Sequence, residues 1–260
     1  MAVALSLVLL VLPGAGVSAQ NAQPAPPNNG KPPAIDPEAM TTLKKMGDYL
    51  RTLDIFQVKT KITKEEVLED GQKVTFAGTI DLLANRPGQL RVDLNSDRER
   101  RLFIFDGKNF TMFAPRLNYY ATVAAPATIK ELAVQLEDKY EIELPLVDLF
   151  RWGTDEAQIS AITGARKIGD SVIDGTTCEH YAFRQDGLDW QVWVQAGDYA
   201  LPRKIVLTTT DDDARPQMIA EYTWNLAPSF NNEAFVFTPP KDAKKIPLVE
   251  VTPMAGAQKK

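Results

Sequence analysis

The sequence predicts a mainly β (α+β) fold, a curved, unclosed antiparallel half-barrel of about ten or eleven strands with helices over its concave face. Asp-Gly pairs recur at Asp70-Gly71, Asp106-Gly107, Asp174-Gly175 and Asp186-Gly187, each between runs that alternate apolar and polar residues; this is a strong short-range hairpin signal. The alternation leaves most strands one wet face, as an antiparallel sheet covered on one side requires. Ten or eleven strands approach the number beyond which a twisted sheet curls. Two helical patterns interrupt the strands midway and are placed to cap the concavity.

The chain opens on an export signal, residues 1–19. An apolar run from Ala2 to Leu12 gives way to Pro13, Gly14 and Gly16 and to small residues ending Val17-Ser18-Ala19, the form of a signal-peptidase site, without the usual basic residues ahead of it. The run is shorter than the roughly 20 apolar residues of a membrane span, and the sole cysteine, Cys178, is too distant for a lipid-modified N-terminus. The expected product is periplasmic, soluble after cleavage and not membrane-spanning. Residues 20–36, rich in Pro, Asn and Ala, read as a disordered linker. Residues 37–240 read as one domain, since no second linker divides them, and 241–260 as a C-terminal tail.

Asp36 as N-cap, Pro37 at the first helical position and Met40, Leu43, Met46 and Leu50 at helical spacing predict a helix ending near Leu53. Strands follow. Phe56, Val58, Thr60 and Ile62 share one face, as do Val74, Phe76, Gly78, Ile80 and Leu82 after the first Asp-Gly turn, and then Leu90, Val92 and Leu94. Leu102 to Phe105 is apolar on both faces, so its outer side should be covered too. Phe110–Phe113 and Tyr119–Thr122 complete the first half.

Ala127–Tyr140 carries Ile129, Leu132, Ala133 and Leu136 on one helical face, and Pro145–Trp152 reads as a second short helix with Leu149 and Phe150. Strands resume near Ile159 and run through 167–173, 176–184, 188–195, 203–210 and 218–226. The hydrophobic ligand-binding face expected from this alternation comprises Phe56, Val58, Val74, Phe76, Leu90, Val92, Trp190, Val192, Ile205, Leu207, Tyr222 and Trp224, with Leu132, Leu136, Leu149 and Phe150 facing it from the helices. Arg91, Arg203 and Lys204 are candidates to meet a head group at its rim.

Polar chemistry is sparse. The net charge of −5 lies entirely at or after Lys31 and shows no Lys/Arg cluster able to grip phosphates, which disfavours nucleic acid as a partner. Cys178 and His180, two apart on a strand, lie about 7 Å apart along it. That separation suits neither a nucleophile pair nor, with no other Cys or His in the chain, a closed metal site. A buried thiol and a hydrogen-bonded structural histidine are the expectation, with no metal and no cofactor. Asp211-Asp212-Asp213 lacks the alternate spacing of a calcium loop and reads as a hairpin tip. No Gly-x-Ser-x-Gly elbow or phosphate loop is present, so no catalytic residue is assigned.

Cys178-Glu179-His180-Tyr181-Ala182-Phe183-Arg184-Gln185, with Asp189-Trp190-Gln191-Val192-Trp193-Val194 and Leu201-Pro202-Arg203-Lys204, resembles the predicted periplasmic proteins of domain-of-unknown-function family 2092. Phe105-Asp106-Gly107-Lys108 leading to Asn118-Tyr119-Tyr120, and Leu144 to Phe150, extend the resemblance over about Ile35 to Pro240. That family in turn is similar to the LolA and LolB lipoprotein carriers. The resemblance implies an unclosed β-barrel plugged by helices around an apolar cavity, and Phe235 to Pro240 looks like the way such domains end. It implies no activity, and a basic partner-docking surface like that of LolA is missing.

The expected function is therefore non-enzymatic periplasmic binding of a lipid or other hydrophobic small molecule in the half-barrel. The alternative is an envelope protein-protein assembly module with a filled barrel, and third comes an enzyme using carboxylates or Cys178.

Overall fold

The computed structural model describes residues 34–154 and 159–251; the expected export signal, most of the linker and residues 252–260 lie outside them. Helix α1 (Pro37–Arg51) begins where the sequence places it, with the Asp36 carboxylate accepting from the Glu38 amide at 2.9 Å. Strands β1 (Ile55–Val67), β2 (Lys73–Asn85), β3 (Gln89–Ser96), β4 (Arg100–Phe105), β5 (Asn109–Ala114) and β6 (Tyr119–Ala124) follow. Then come α2 (Ile129–Tyr140) and α3 (Asp148–Arg151). The second half comprises β7 (Gly164–Ile173), β8 (Thr176–Gln185), β9 (Leu188–Gln195), β10 (Pro202–Thr209), β11 (Gln217–Asn225) and a two-residue β12 (Lys244–Lys245).

All twelve strands form one open sheet in the order β12-β6-β5-β4-β3-β2-β1-β11-β10-β9-β8-β7. The first strand is central: β1 pairs with β2 on one side and β11 on the other, with Val58 opposite both Leu82 and Trp224. Phe110 of β5 and Phe183 of β8 are eight strand steps apart, about 38 Å in a flat sheet, yet they belong to one buried cluster with Leu43, Met46 and Leu50 of α1 and Leu132 and Leu136 of α2. The sheet therefore bends around the helices. Topology places the lid as well. Strands β6 and β7 lie near opposite edges of the sheet, so the chain between them must cross the concave face, and α2 and α3 are that crossing.

All four Asp-Gly pairs sit in hairpin turns, between β1 and β2, β4 and β5, β7 and β8, and β8 and β9. Both residues have positive φ only at Asp174-Gly175, at 46° and 74°, as a type I′ turn demands. The Asp212 carboxylate accepts from the Ala214 amide at 2.8 Å, so the aspartate run is the β10–β11 hairpin tip.

Several segments differ from the sequence expectation. Ile35 bridges to Ala165 and the Asp36 amide donates to the Ala165 carbonyl at 2.9 Å, so the last linker residues are built onto β7. Ile159–Ala161 is a 3-10 turn and β7 starts only at Gly164. The second helix shrinks to four residues because Leu146 takes a left-handed φ of 62°, which breaks any helix through Pro145.

The expected tail contributes β12, whose residues pair parallel with Tyr119 and Tyr120 of β6 and add the twelfth strand. Ahead of it, Phe235 is fully buried, and Phe237 packs on Phe113 and Tyr120 at 5.5 and 5.2 Å between ring centres. These residues cover the outer side of β4 to β6, where Ile104, Thr111 and Phe113 are buried outside the main core. The double-sided apolar run at Leu102–Phe105 is thereby explained.

Candidate functional site

Between the inner face of the sheet and the segment Glu143–Trp152 lies a cavity of about 530 Å³, within the range of small-molecule sites. Ile62 of β1, Ile80 of β2, Leu188 and Trp190 of β9, Ile205 and Leu207 of β10, and Met218, Ala220 and Tyr222 of β11 line one wall; Leu144, Leu146, Val147, Leu149 and Trp152 line the other. Trp190 is fixed by ring stacking on Phe183 at 4.2 Å and by its indole donating to Gln185 Oε1 at 3.1 Å. Trp152 leans on it at 5.6 Å.

The lid is held from behind. Gly153 (φ 76°) abuts Gly47 of α1, where a Cβ on Gly47 would lie 2.6 Å from the Gly153 nitrogen, and Arg51 donates to the Gly153 carbonyl. Gly47 is thus glycine because two backbones touch.

The few polar groups at the cavity sit mostly on the lid. Asp148 is exposed at the border of the cavity, yet the protein around it pushes its carboxyl above the usual range by desolvation, against the opposing pull of Arg151. Burial, helped by the nearby Asp148, pushes the Tyr222 phenol far up. The Tyr222 phenol therefore stays neutral throughout the ordinary pH range. Arg151 is bonded to Glu137 of α2.

Of the sixteen residues that alternation and helical spacing single out, five border the cavity: Leu149, Trp190, Ile205, Leu207 and Tyr222. Phe56, Val58, Leu90, Val92, Leu132, Leu136 and Val192 are instead fully buried in solid core, and Phe150 and Trp224 pack at its margin, the Trp224 indole donating to the Pro202 carbonyl at 2.8 Å. Val74 and Phe76 belong to neither. They have the right parity, but β2 starts to pair with β3 only at Gly78, so both lie on a projecting hairpin, with the Arg98 guanidinium 4.9 Å from the Phe76 ring centre.

Ile62, Ile80, Trp152 and Met218 also border the cavity but stand outside the expected ligand-binding set. The alternation already places the first two on the face of Val58 and Leu82, so carrying the set along the full strands includes them.

The cations suggested for a head group point away. Arg91 reaches the Ala234 carbonyl at 3.3 Å, Arg203 grips Gln195 at 2.7 Å, and Lys204 pairs with Glu221 at 3.0 Å, all on the outer face. A larger groove there, about 810 Å³, is lined by Lys59, Lys61, Asp81, Arg91, Asp93 and Asn95. It is larger but polar, and its Asp81 is already engaged by Gln57 at 2.7 Å and Lys59 at 3.7 Å.

The Cys178 Sγ contacts the Thr176 carbonyl at 3.4 Å, and burial pushes its thiol up. His180 stacks on Trp193 at 3.9 Å and bonds Gln191 at 2.9 Å, with burial pushing it toward the neutral form. Each has its own local partner, as structural roles require. Among the described residues no group of three or more His, Cys, Asp or Glu is placed to hold a metal, and no helix is long and apolar enough to cross a membrane.

No curated protein gives a significant match to the sequence. Solved structures that resemble the chain include lipoprotein LppX of Mycobacterium tuberculosis, at 13% identity and TM-score 0.47 over 75% of this chain and 100% of that one. LprF of Mycobacterium bovis is 15% identical, with TM-score 0.45 over 82% and 100%. A LolA superfamily protein of Nitrosomonas europaea is 12% identical, with TM-score 0.35 over 76% and 97%. A family model described as predicted periplasmic protein (DUF2092) matches residues 39–249, in keeping with the sequence motifs and the expected compartment, and the chain belongs to that family.

Proposed function

We propose that this protein is a non-enzymatic periplasmic carrier that holds a lipid-like ligand between the sheet and the Glu143–Trp152 lid. The observation that carries this reading is the hollow itself: a half-barrel whose helices merely plugged it would leave no 530 Å³ of apolar-walled space against β9 to β11. Ten acyl methylenes buried there contribute about 8 kcal/mol in gross transfer free energy. That is the level of a micromolar complex before the cost of ordering the chain.

Displacement of an environment-sensitive fluorescent fatty-acid probe tests the site. Trp190→Ala, which removes a cavity wall, weakens probe binding, whereas Trp224→Ala, a margin residue, lowers stability without a comparable loss of affinity. Equal losses in both variants, or none in either, contradict the assignment. An assembly module with a filled barrel predicts no probe uptake at all.

A further inference from the structure

We infer, resting on the carrier reading above, that the ligand is a long-chain amine whose protonated nitrogen is held at the cavity mouth by the Glu143 and Asp148 carboxylates and the Tyr222 hydroxyl. Among the described residues, Thr60 Oγ1, Arg86 Nε and Trp152 Nε1 are polar side-chain atoms both without a partner and sealed from open space. The Tyr222 hydroxyl also has no hydrogen-bond partner among the described residues, yet it is not sealed. Tyr222 keeps only 8% of its surface open and lines the cavity, so the hollow is where its hydroxyl is reached. A hydroxyl has one proton to give and two lone pairs that accept. Left unpaired in a largely apolar wall, it is a seat for the polar group of a ligand.

The sign of that polar group follows from the lid. Glu143 and Asp148 are exposed and line the cavity, which puts both side chains at its mouth. Neither carboxylate has a hydrogen bond or ion pair among the described residues. Arg151, the one cation among the described lining residues, is bonded to Glu137 and acts on Asp148 only from beyond ion-pair distance. The Asp148 carboxylate stands close enough to the Tyr222 phenol for its charge to act on it, so the acid and the hydroxyl can meet one head group.

An anionic head group adds like charge at this mouth, and it gains Arg151 only by displacing Glu137. A zwitterionic phosphate ester meets the same obstacle through its phosphate. A neutral ester can pair with the hydroxyl but leaves both acids unanswered. A protonated amine carries three donors and a positive charge, enough for two carboxylates and the Tyr222 oxygen together. The hydrocarbon chain then lies against Ile205, Leu207 and Met218 on the sheet wall, which a short polar amine would leave empty.

The test is calorimetric titration of the protein at neutral pH with decylamine, methyl decanoate, decanoate and butylamine in turn. Decylamine, protonated there as lysine is, binds most tightly, and butylamine, with the charge but not the chain, does not bind. The double variant Glu143→Gln, Asp148→Asn weakens decylamine about five-fold, the scale of two exposed charge pairs, and leaves methyl decanoate unchanged. Both substitutions are at exposed positions, so folding is kept. Tyr222→Phe weakens decylamine about ten-fold, the scale of one hydrogen bond to a charged group.

Equal binding of decylamine and methyl decanoate, with no loss in the double variant or in Tyr222→Phe, overturns the inference and leaves the carrier reading standing. Decanoate binding most tightly overturns it in favour of an anionic lipid, and butylamine binding as tightly as decylamine overturns it in favour of a small polar amine. Failure of all three ten-carbon compounds to bind removes the carrier reading, and this inference with it.

Discussion

Gly47→Ala sets two effects of opposite sign against each other at the hinge between α1 and the lid. In an open helix interior this change stabilises by about 1 kcal/mol, because alanine loses less backbone freedom than glycine. Here the added Cβ would stand 2.6 and 2.7 Å from the nitrogen and Cα of Gly153, and 3.1 Å from the Trp152 carbonyl carbon. All three are backbone atoms that no rotamer change can move aside. Overpacking of this kind costs about 1–3 kcal/mol, and rigid partners place it in the upper half of that range. The net expectation is a destabilisation of about 1–2 kcal/mol, read as a lower urea midpoint with an unchanged slope. Gly153→Ala should lose at least as much, because its φ of 76° adds backbone strain to the same contact. A Gly47→Ala protein as stable as the parent, or more stable, would refute the claim that the two backbones are locked together.

Phe235→Ala, which empties the fully buried anchor of the C-terminal segment, should cost about 3–5 kcal/mol and speed protease cleavage between residues 226 and 251, whereas unchanged cleavage would show the segment is held by other contacts. Asp148 gives a pH signature. Above about pH 3.9 the unfolded chain releases this proton, while the folded chain keeps it until its raised value is reached. Across that window the unfolded state binds fewer protons, so the group's contribution to stability falls as pH rises. Asp148→Asn has no such proton, and its stability relative to the parent should rise from pH 4 to pH 7 in parallel urea titrations; a constant difference would contradict the assignment.

Legibility in the sequence followed the range of each physical rule. Turn chemistry is local, and every Asp-Gly pair marks a hairpin. Strand parity is local as well, so Leu102 to Phe105 announced a covered outer side before Phe235 and Phe237 were known to cover it. The same parity rule, applied strictly, would have sent Arg91 outward, since it alternates with the buried Leu90 and Val92. How far along a strand the core extends is not local. The alternation through Val74 and Phe76 is indistinguishable from that through Ile80 and Leu82, and only the later start of pairing with β3 separates them. The lid was hardest to read. Eight residues from Pro145 to Trp152 fit one helical turn or a series of tight turns equally well, and the left-handed backbone at Leu146 decides where Trp152 stands. The candidate site thus divides into a sheet wall that parity partly reveals and a lid wall that only the folded backbone defines.

Native mass spectrometry of the protein, purified without detergent and sprayed after mild extraction, bears most directly on whether the hollow beneath the lid is a ligand site. A population heavier than the polypeptide by one lipid-sized mass, reduced in Trp190→Ala and retained in Phe76→Ala, is the predicted result. A single bare-chain mass that stays bare after incubation with methyl decanoate would contradict it.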